Sequence, residues 1–349
     1  MRMNRRRFQG RQTMRALRIW IGTGLLVALP AAYLIAQNGS SINGPSLGFV
    51  SDDKGTTIWP LLGILGAAVP GQPVALPESI TDAAISPQHD YALALSTSTG
   101  QPVIIRLDTP GATSAPIVGA RSNPAFIALS PRGAAAAMFE KTSRVLQLVS
   151  GLPGAPQVIY EADTSTLDGD VQDIAVSDDA QIALILVGNE SRALWTIRAN
   201  GSMSSVSATR PSHIAFIANR SDAVIADDAT QEVFVLRNLD QTPVRTPGIV
   251  LRQGDRGFSA VAASRDGRWL YVARQDSEEI SIVDLHTEET IVVACPCRPT
   301  TFSPLKGSSV FRLNGLSNGP ITVLDASSSS PRTLFIPIDP TVLAGNAER

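Results

Sequence analysis

Four ionisable side chains stand just before short apolar segments that resemble one another. Asp82 precedes "AAIS", Asp173 precedes "IAVS", His213 precedes "IAFI" and Arg298 precedes "PTTFS". Two carboxylates and an imidazole can hold a metal ion, and the same groups with a guanidinium can bind a polar ligand or serve a hydrolase. The alternative is that these residues cap strand ends and line a wet channel. Either interpretation requires a fold that brings the segments together.

The only cysteines of the chain, Cys295 and Cys297, lie two residues apart in "ACPCR". Two cysteines do not form a disulfide framework, so they do not hold the fold together by cross-links. A redox-active pair or a pair of metal ligands is one interpretation. Two structural cysteines or one tight disulfide is the interpretation that we favour.

The other polar motifs favour no catalytic centre. His89 and His286 lie in the polar segments "SPQHDY" and "DLHTEE", where we expect exposed turns. With three histidines in all, a catalytic triad or a multi-histidine metal centre is hard to assemble. Acidic pairs without the spacing of a calcium loop are expected to be solvated turns: Asp52–Asp53, Asp178–Asp179 and Asp227–Asp228. The sequence therefore predicts no catalytic residues, no resident metal and no cofactor.

Composition indicates a folded chain with an acidic body. Hydrophobic residues make up 44% and charged residues 17% of the 349 residues, which allows a full core. Residues 1–36 hold seven of the 29 Lys and Arg residues and no Asp or Glu. The remaining chain therefore has 22 basic against 31 acidic residues. Such a body argues against binding to nucleic acid, which requires a basic surface.

The N-terminal segment has the layout of an export signal. Seven arginines precede or flank an apolar run at residues 19–36, which ends in Ala36 before the polar "QNGSS". The run has 18 residues, long enough for a membrane span as well. Residues 1–36 are thus predicted to be a signal peptide or a membrane anchor, with 37–46 as a linker. Both alternatives place the body outside the cytoplasm, and membrane contact is expected only through residues 19–36 if they are not removed.

The body contains a repeated unit. The segment "DAAISP" at 82–87 returns five more times, at spacings of 39 to 47 residues. We align the copies on six anchor residues: Ser86, Ser130, Ser177, Ile217, Ser264 and Ser303. Two residues before the anchors stand Ala84, Ala128, Ala175, Ala215, Ala262 and Thr301. Each copy continues with two more alternating runs rich in β-branched residues, bounded by turn residues.

Repeats of about 40 to 45 residues with several short strands predict the blades of a β-propeller. The mean spacing of about 43 residues divides residues 47–349 into seven units, so we expect an all-β, seven-bladed domain. The seventh blade must then be shared by both ends of the chain. Its second, third and fourth strands are predicted at 47–51, 56–64 and 73–77, and its innermost strand at 341–345. The alanine column predicts close packing at the axis, where Ala175→Leu would overpack the site and Ala180→Leu, on an outward turn, would not.

One copy resembles a known repeat type. The stretch "DGRWLYVA", followed by "ISIVDLHTEET", is similar to the YVTN-type β-propeller repeat. The matching residues are Tyr271, Val272, Ile280, Ile282, Val283, Asp284 and Thr287. Ala273 and Arg274 depart from that pattern, and the other copies keep its spacing without its letters. The resemblance implies the fold, and the whole looks like an exported bacterial propeller protein.

The functional hypothesis that follows is an exported, noncatalytic binding or scaffold protein of the bacterial cell envelope, periplasmic, secreted or anchored facing outward. Its partner would be a protein or a polar ligand. Equivalent positions of different blades converge on the axis, so Asp82, Asp173, His213 and Arg298 are predicted to line one channel mouth. A lactonase-like hydrolase that uses this polar ring is one alternative, and a membrane-tethered assembly partner is another.

Overall fold

The computed structural model describes residues 44–109, 111–251, 257–274, 277–307, 309–316 and 319–338. Within these residues the chain folds into seven antiparallel sheets and contains no α-helix. The sheets follow one another along the chain in the order that the repeat predicts. The seven-bladed all-β architecture is therefore confirmed.

The first four blades contain fifteen strands. Blade 1 consists of β1 (Ser46–Ser51), β2 (Ile58–Leu62) and β3 (Val69–Pro70). Blade 2 consists of β4 (Ile80–Ile85), β5 (Tyr91–Ser96), β6 (Pro102–Arg106) and β7 (Thr113–Pro116). Blade 3 consists of β8 (Phe126–Leu129), β9 (Ala136–Glu140), β10 (Val145–Ser150) and β11 (Gln157–Asp163). Blade 4 consists of β12 (Val171–Val176), β13 (Ile182–Val187), β14 (Ala193–Arg198) and β15 (Met203–Val206).

The last three blades contain thirteen strands. Blade 5 consists of β16 (Pro211–Phe216), β17 (Ala223–Asp227), β18 (Glu232–Arg237), β19 (Val244–Arg245) and β20 (Ile249–Val250). Blade 6 consists of β21 (Phe258–Ala263), β22 (Trp269–Arg274), β23 (Glu279–Asp284) and β24 (Thr290–Ala294). Blade 7 consists of β25 (Ser303–Pro304), β26 (Val310–Arg312), β27 (Ile321–Asp325) and β28 (Arg332–Ile336).

The hydrophobic core lies in the seams between blades. Seven buried clusters occupy the seven seams, and each draws its side chains from two adjacent blades. One of them joins the two ends of the described chain, where Leu47 and Trp59 of blade 1 pack with Leu305 and Val310 of blade 7. The ring is therefore closed by apolar packing between the first and last blades, which is non-directional and needs no covalent link.

The anchor position has a physical role in most blades. In blades 2 to 6 the anchor N–H bonds the carbonyl of the residue five positions later, at or directly before the start of the second strand, as in Ser177 N–H to Ile182 at 2.9 Å. The Ser177 and Ser264 hydroxyls also donate to the carboxylates of Asp179 and Asp266, which fixes the turn. We call the end of the ring formed by these turns the turn face, and the opposite end the loop face.

Blade 7 corrects one part of the repeat alignment. The residue that makes the anchor bond there is Leu305, whose N–H donates to the Val310 carbonyl at 2.8 Å. Ser303, aligned as the anchor, therefore occupies the alanine column, and Thr301 lies two residues further toward the loop face. The error arose because "FSP" in this copy imitates the "ISP" and "LSP" of other copies at a different strand position.

Strand β1 runs in the opposite direction to the inner strands of the other blades. Its Phe49 N–H bonds His89 at the turn face, whereas the Lys54 carbonyl beyond its end accepts from the Asp82 N–H near the start of β4. This is the direction of a second strand, in agreement with the predicted role of 47–51. Within the described residues β1 is nevertheless the innermost strand of its sheet.

Two other parts of the split-blade prediction have different outcomes. The last strand of blade 1 is Val69–Pro70 instead of 73–77, although the Val74 N–H still bonds the Ile58 carbonyl of β2. The segment 341–345, predicted as the innermost strand, lies outside the described residues. So do residues 1–36, predicted as a signal or anchor. No helix of the described chain has the length and apolar character that a membrane crossing requires.

Candidate functional site

A cavity of about 500 Å³ runs along the axis of the ring. All seven blades contribute to its wall, through β1 and through the inner strands of the other blades. The alanine column lines it at Ala84, Ala128, Ala175, Ala215 and Ala262, and Ser303 takes the equivalent place in blade 7. The small side chains therefore leave space at the axis. Ala175 is nevertheless 8% exposed and packs in the apolar cluster between blades 4 and 5, and Ala128 and Ala262 pack against the clusters of their own seams, so the overpacking expected for Ala175→Leu stays a prediction.

The described lining contains two ionisable side chains, Asp173 and Arg312. They belong to blades 4 and 7, which are not neighbours in the ring. The rest of the lining consists of small or apolar side chains and a few hydroxyls, among them Ser51, Thr301 and Ser303. Polar atoms form nearly as much of the cavity surface as apolar atoms do, so the site offers hydrogen-bonding groups together with apolar contacts.

Asp173 connects two inner strands at the loop face. Its Oδ1 accepts from the Ile174 N–H at 2.9 Å, and its Oδ2 accepts from the Ile214 N–H of blade 5 at 3.4 Å. Burial raises the pKa of the Asp173 carboxyl to about 7, although both hydrogen bonds favour the ionised form. A carboxyl of this kind exchanges protons near neutral pH inside the cavity.

Arg312 lies on the second strand of blade 7 and reaches the first blade. Its Nη1 donates to the Ser51 carbonyl at 2.9 Å, while its buried Nε has no hydrogen-bond partner. Burial lowers the pKa of the guanidinium, and the charge of Asp53 opposes this effect. No carboxylate of the described chain forms an ion pair with Arg312.

The four residues predicted at one mouth do not form a ring around the cavity. Asp82 and His213 lie at equivalent bulges of β4 and β16, as Asp173 does in β12, but they are outside the lining. Arg298 lies in an exposed bend before blade 7, outside the lining as well. The two-residue alignment error in blade 7 explains its wrong placement. Of the four, only Asp173 lines the cavity, and ligand binding by the others stays a prediction.

His213 is held by the backbone of the next blade. Its Nε2 lies 3.1 Å from the Phe258 carbonyl of β21. Burial lowers the pKa of His213, against the effects of that hydrogen bond and of the Asp228 carboxylate. The imidazole therefore joins blades 5 and 6 in its neutral form.

His89 was expected in an exposed turn, and the structure shows that this was wrong. The side chain is 4% exposed and spans three blades. Its Nδ1 accepts from the Phe49 N–H of blade 1 at 3.0 Å, and its Nε2 lies 3.1 Å from the Pro304 carbonyl of blade 7. Glycine at position 48 is the one trace of this contact in the sequence. Any other residue there would place a Cβ 2.5 Å from the His89 imidazole.

An arginine lies across the axis at the turn face. Arg265 of blade 6 donates from Nη2 to the Pro87 carbonyl of blade 2 at 2.6 Å. Blades 2 and 6 are not adjacent, so this side chain covers part of the cavity at that end. The sequence could not indicate it, because the two residues are 178 positions apart.

The cysteines and Asp227, which the sequence also offered as candidates, lie where they stabilise the fold. A disulfide joins Cys295 to Cys297, and buried Cys295 packs with Tyr271 and Phe302 in the seam between blades 6 and 7. Asp227 was expected in a solvated turn, but it is fully buried and accepts from the backbone N–H groups of residues 209, 210, 229 and 230. Within the described residues no three His, Cys, Asp or Glu side chains are arranged to hold a metal ion.

No family model matches this chain, and no curated protein matches it. Solved structures of other proteins match it at the level of the fold. A functionally unknown protein from Desulfotomaculum acetoxidans is 15% identical, with a TM-score of 0.56 over 84% of this chain and 100% of that one. A Bacteroides fragilis protein named as a candidate 6-phosphogluconolactonase is 12% identical, with a TM-score of 0.55 over 86% and 97%.

A third structure, of a protein from Lactobacillus plantarum, is 13% identical, with a TM-score of 0.55 over 80% of this chain and 92% of that one. At these identities the likeness shows the fold and carries no statement about activity, because one fold supports many unrelated functions. The comparisons and the geometry together thus establish a seven-bladed β-propeller with an axial cavity.

Proposed function

We propose that this chain is an exported, noncatalytic β-propeller of the bacterial cell envelope that binds a small ligand in the axial cavity. The observation that carries the proposal is the cavity itself, about 500 Å³ in volume. Its wall combines small and apolar side chains with one carboxyl, Asp173, and one guanidinium, Arg312, on blades that are not adjacent. Such a wall can hold an apolar body and orient it at two polar points.

The surroundings of His89 and His213 support binding over acid–base catalysis. Both ring nitrogens of His89 are engaged by backbone groups, and Nε2 of His213 is engaged by the Phe258 carbonyl. A general base must reach the proton that it abstracts, and these imidazoles are already committed to joining blades. The hydroxyls of Thr301 and Ser303 contact each other at 3.4 Å.

The binding test uses a side chain that fills the cavity. Small molecules released from the protein purified from the envelope are identified by mass spectrometry, and each is added back in thermal unfolding. We expect the retained molecule to raise the Tm of the wild type and not that of Ala128→Leu, which adds three carbons at a position that lines the cavity. Ala115→Leu, on the exposed outer strand of blade 2, is the matched control and should respond like the wild type. An equal response of Ala128→Leu would contradict binding at the axis.

Export is supported by the sequence of residues 1–36 and is tested separately. Cell fractionation should place the protein outside the cytoplasm, and N-terminal sequencing should find a start near Gln37 if the segment is removed. An intact N-terminus in the membrane fraction would instead favour the membrane-tethered assembly partner. Recovery in the cytoplasm would contradict both alternatives.

A lactonase-like hydrolase is the second candidate, and the Asp173 carboxyl favours it. Its pKa of about 7 would suit an acid or base inside the cavity. The test is hydrolysis of 6-phosphogluconolactone by the wild type and by Asp173→Asn. Turnover that Asp173→Asn abolishes would establish the hydrolase and overturn the noncatalytic proposal.

A further inference from the structure

We propose that the axial cavity selects a small organic acid with a single carboxylate, which binds the Arg312 guanidinium while the apolar body lies along the alanine column. This inference rests on the proposed binding function and specifies its ligand. It is carried by the arrangement of Arg312 and two hydroxyls on one wall.

The first step concerns the partners of Arg312. The guanidinium donates one hydrogen bond to a backbone carbonyl, that of Ser51, and its Nε is buried without a partner. The neighbouring Asp53 carboxylate accepts from the Leu316 N–H at 2.9 Å, and its charge favours the charged form of Arg312 against the effect of burial. Burial and the unsatisfied Nε still leave the guanidinium short of partners, so a carboxylate that enters the cavity gains more here than it would in water. The planar fork of arginine suits both oxygens of a carboxylate.

The second step concerns the hydroxyls beside Arg312. Ser303 lies directly opposite Arg312 in the β25–β26 pair and occupies the place that alanine holds in blades 2 to 6. Its hydroxyl lies 3.4 Å from the Thr301 hydroxyl, which is a long contact. Both hydroxyls can turn their hydrogens toward an anion. Blade 7 thus differs from the other blades by a set of donors at one point of the wall.

The third step concerns the rest of the ligand. The walls of blades 2 to 6 present alanine together with larger apolar side chains, such as Ile127, Ile214 and Val261. The apolar body of a ligand is stabilised when it leaves water and contacts these side chains. Among the described lining residues Arg312 is the one cationic side chain, so the wall offers a counter-ion for one carboxylate. These features select an acid with one carboxylate and an apolar body.

The experiment compares three six-carbon probes of similar shape on the full chain: hexanoate, hexanamide and hexylamine. Calorimetry should show hexanoate binding at least about tenfold more tightly than hexanamide, a difference of about 1.4 kcal/mol. The reason is that a charge-assisted hydrogen bond between a carboxylate and a guanidinium is stronger than a bond from an uncharged amide. Hexylamine should bind most weakly. Arg312→Gln should reduce the affinity for hexanoate to that for hexanamide, and Arg298→Gln, which removes an exposed arginine outside the cavity, should change neither.

A second variant covers the case in which Arg312→Gln fails to fold. Ser303→Ala restores the residue type of the other blades and should reduce the preference for hexanoate by about threefold or more. Equal affinities of the wild type for hexanoate and hexanamide would overturn the carboxylate inference. If Ala128→Leu then abolished both, the proposed binding function would still hold. Absence of binding for every acid and amide from four to ten carbons would overturn both proposals.

Discussion

The Nδ1 atom of His89 accepts a hydrogen bond of 3.0 Å from the backbone N–H of Phe49, which joins blade 2 to blade 1. The other ring nitrogen lies 3.1 Å from the Pro304 carbonyl of blade 7. Because Nδ1 accepts, the imidazole is neutral and Nε2 carries the hydrogen that it donates. Burial lowers the pKa of His89 to about 4, and the positive charges of Lys306 and Arg265 add to this effect.

His89→Ala is expected to destabilise the ring at pH 7 by about 2–4 kcal/mol, because the buried Phe49 N–H and the partly buried Pro304 carbonyl lose their partner and a buried side chain is removed. The unfolded chain takes up the imidazole proton near pH 6.5 and the folded chain only near pH 4. The contribution of His89 is therefore complete above pH 6.5 and is lost as the pH falls toward 4, by on the order of 3 kcal/mol. Urea unfolding of the wild type and variant at pH 7 and pH 4.5 measures the difference.

The control for this prediction is His286→Ala, which removes an exposed histidine. It should change the free energy of unfolding by less than about 0.5 kcal/mol. A loss for His89→Ala that is equally large at both pH values would show that the imidazole contributes by packing alone.

Gly48→Ala should destabilise the protein more than Gly66→Ala. Both glycines have a positive φ, 106° and 85°, so both substitutions strain the backbone. Only at Gly48 would the new Cβ meet another group, because it would lie 2.5 Å from the His89 ring, whereas no atom lies within 4 Å at Gly66. Displacement of the ring should add about 1–3 kcal/mol to the loss, measured by thermal unfolding. Equal losses of stability for Gly48→Ala and Gly66→Ala would show that the His89 ring does not lie against Gly48 in solution.

Asp173→Asn should become more stable relative to the wild type as the pH rises, as judged by the free energy of unfolding. The unfolded carboxyl loses its proton near pH 3.8 and the folded one near pH 7. The contribution of the neutral carboxyl is thus present below pH 3.8 and is lost as the pH rises through 7, by on the order of 2–4 kcal/mol. Asn cannot ionise, so unfolding free energies at pH 4 and pH 8 should show the variant gaining on the wild type.

His89 and Asp173 change stability in opposite directions between pH 4 and pH 7. The wild type should therefore show a weaker pH dependence than either variant. A pH dependence of Asp173→Asn identical to that of the wild type would mean that the carboxyl is ionised and hydrated throughout this range.

Ala175→Leu should destabilise the protein by about 1–3 kcal/mol, because the added carbons enter the packed seam between blades 4 and 5. The surface variant Ala115→Leu should change the free energy of unfolding by about 0.5 kcal/mol or less. Ala180, which the sequence placed on an outward turn, is buried with a φ of 57° and is not a suitable control. Equal losses for Ala175→Leu and Ala115→Leu in urea unfolding would show that the alanine column faces open space.

Sequence periodicity determined much of the architecture. The spacing of the six copies of the "DAAISP" segment predicts the blades, their number and their order. This is possible because each blade forms its strands from contacts within about 40 residues. The direction of the segment 47–51 also follows from this count. The alanine column marks the inner strands, and Asp173 was found among the candidates because it stands at the same strand position as Asp82 and His213.

Only the tertiary structure decided what lies at the axis. The anchor of blade 7 is Leu305 and not Ser303, since hydrogen bonding sets the strand register where the letters of the motif mislead. Arg312 lies on a second strand and His89 in a turn, and neither position distinguishes them in the sequence. They meet Ser51, Phe49 and Pro304 because closing the ring brings blades 7, 1 and 2 together. Contacts between residues as far apart as 261 positions in the chain depend on that closure and leave no periodic signal.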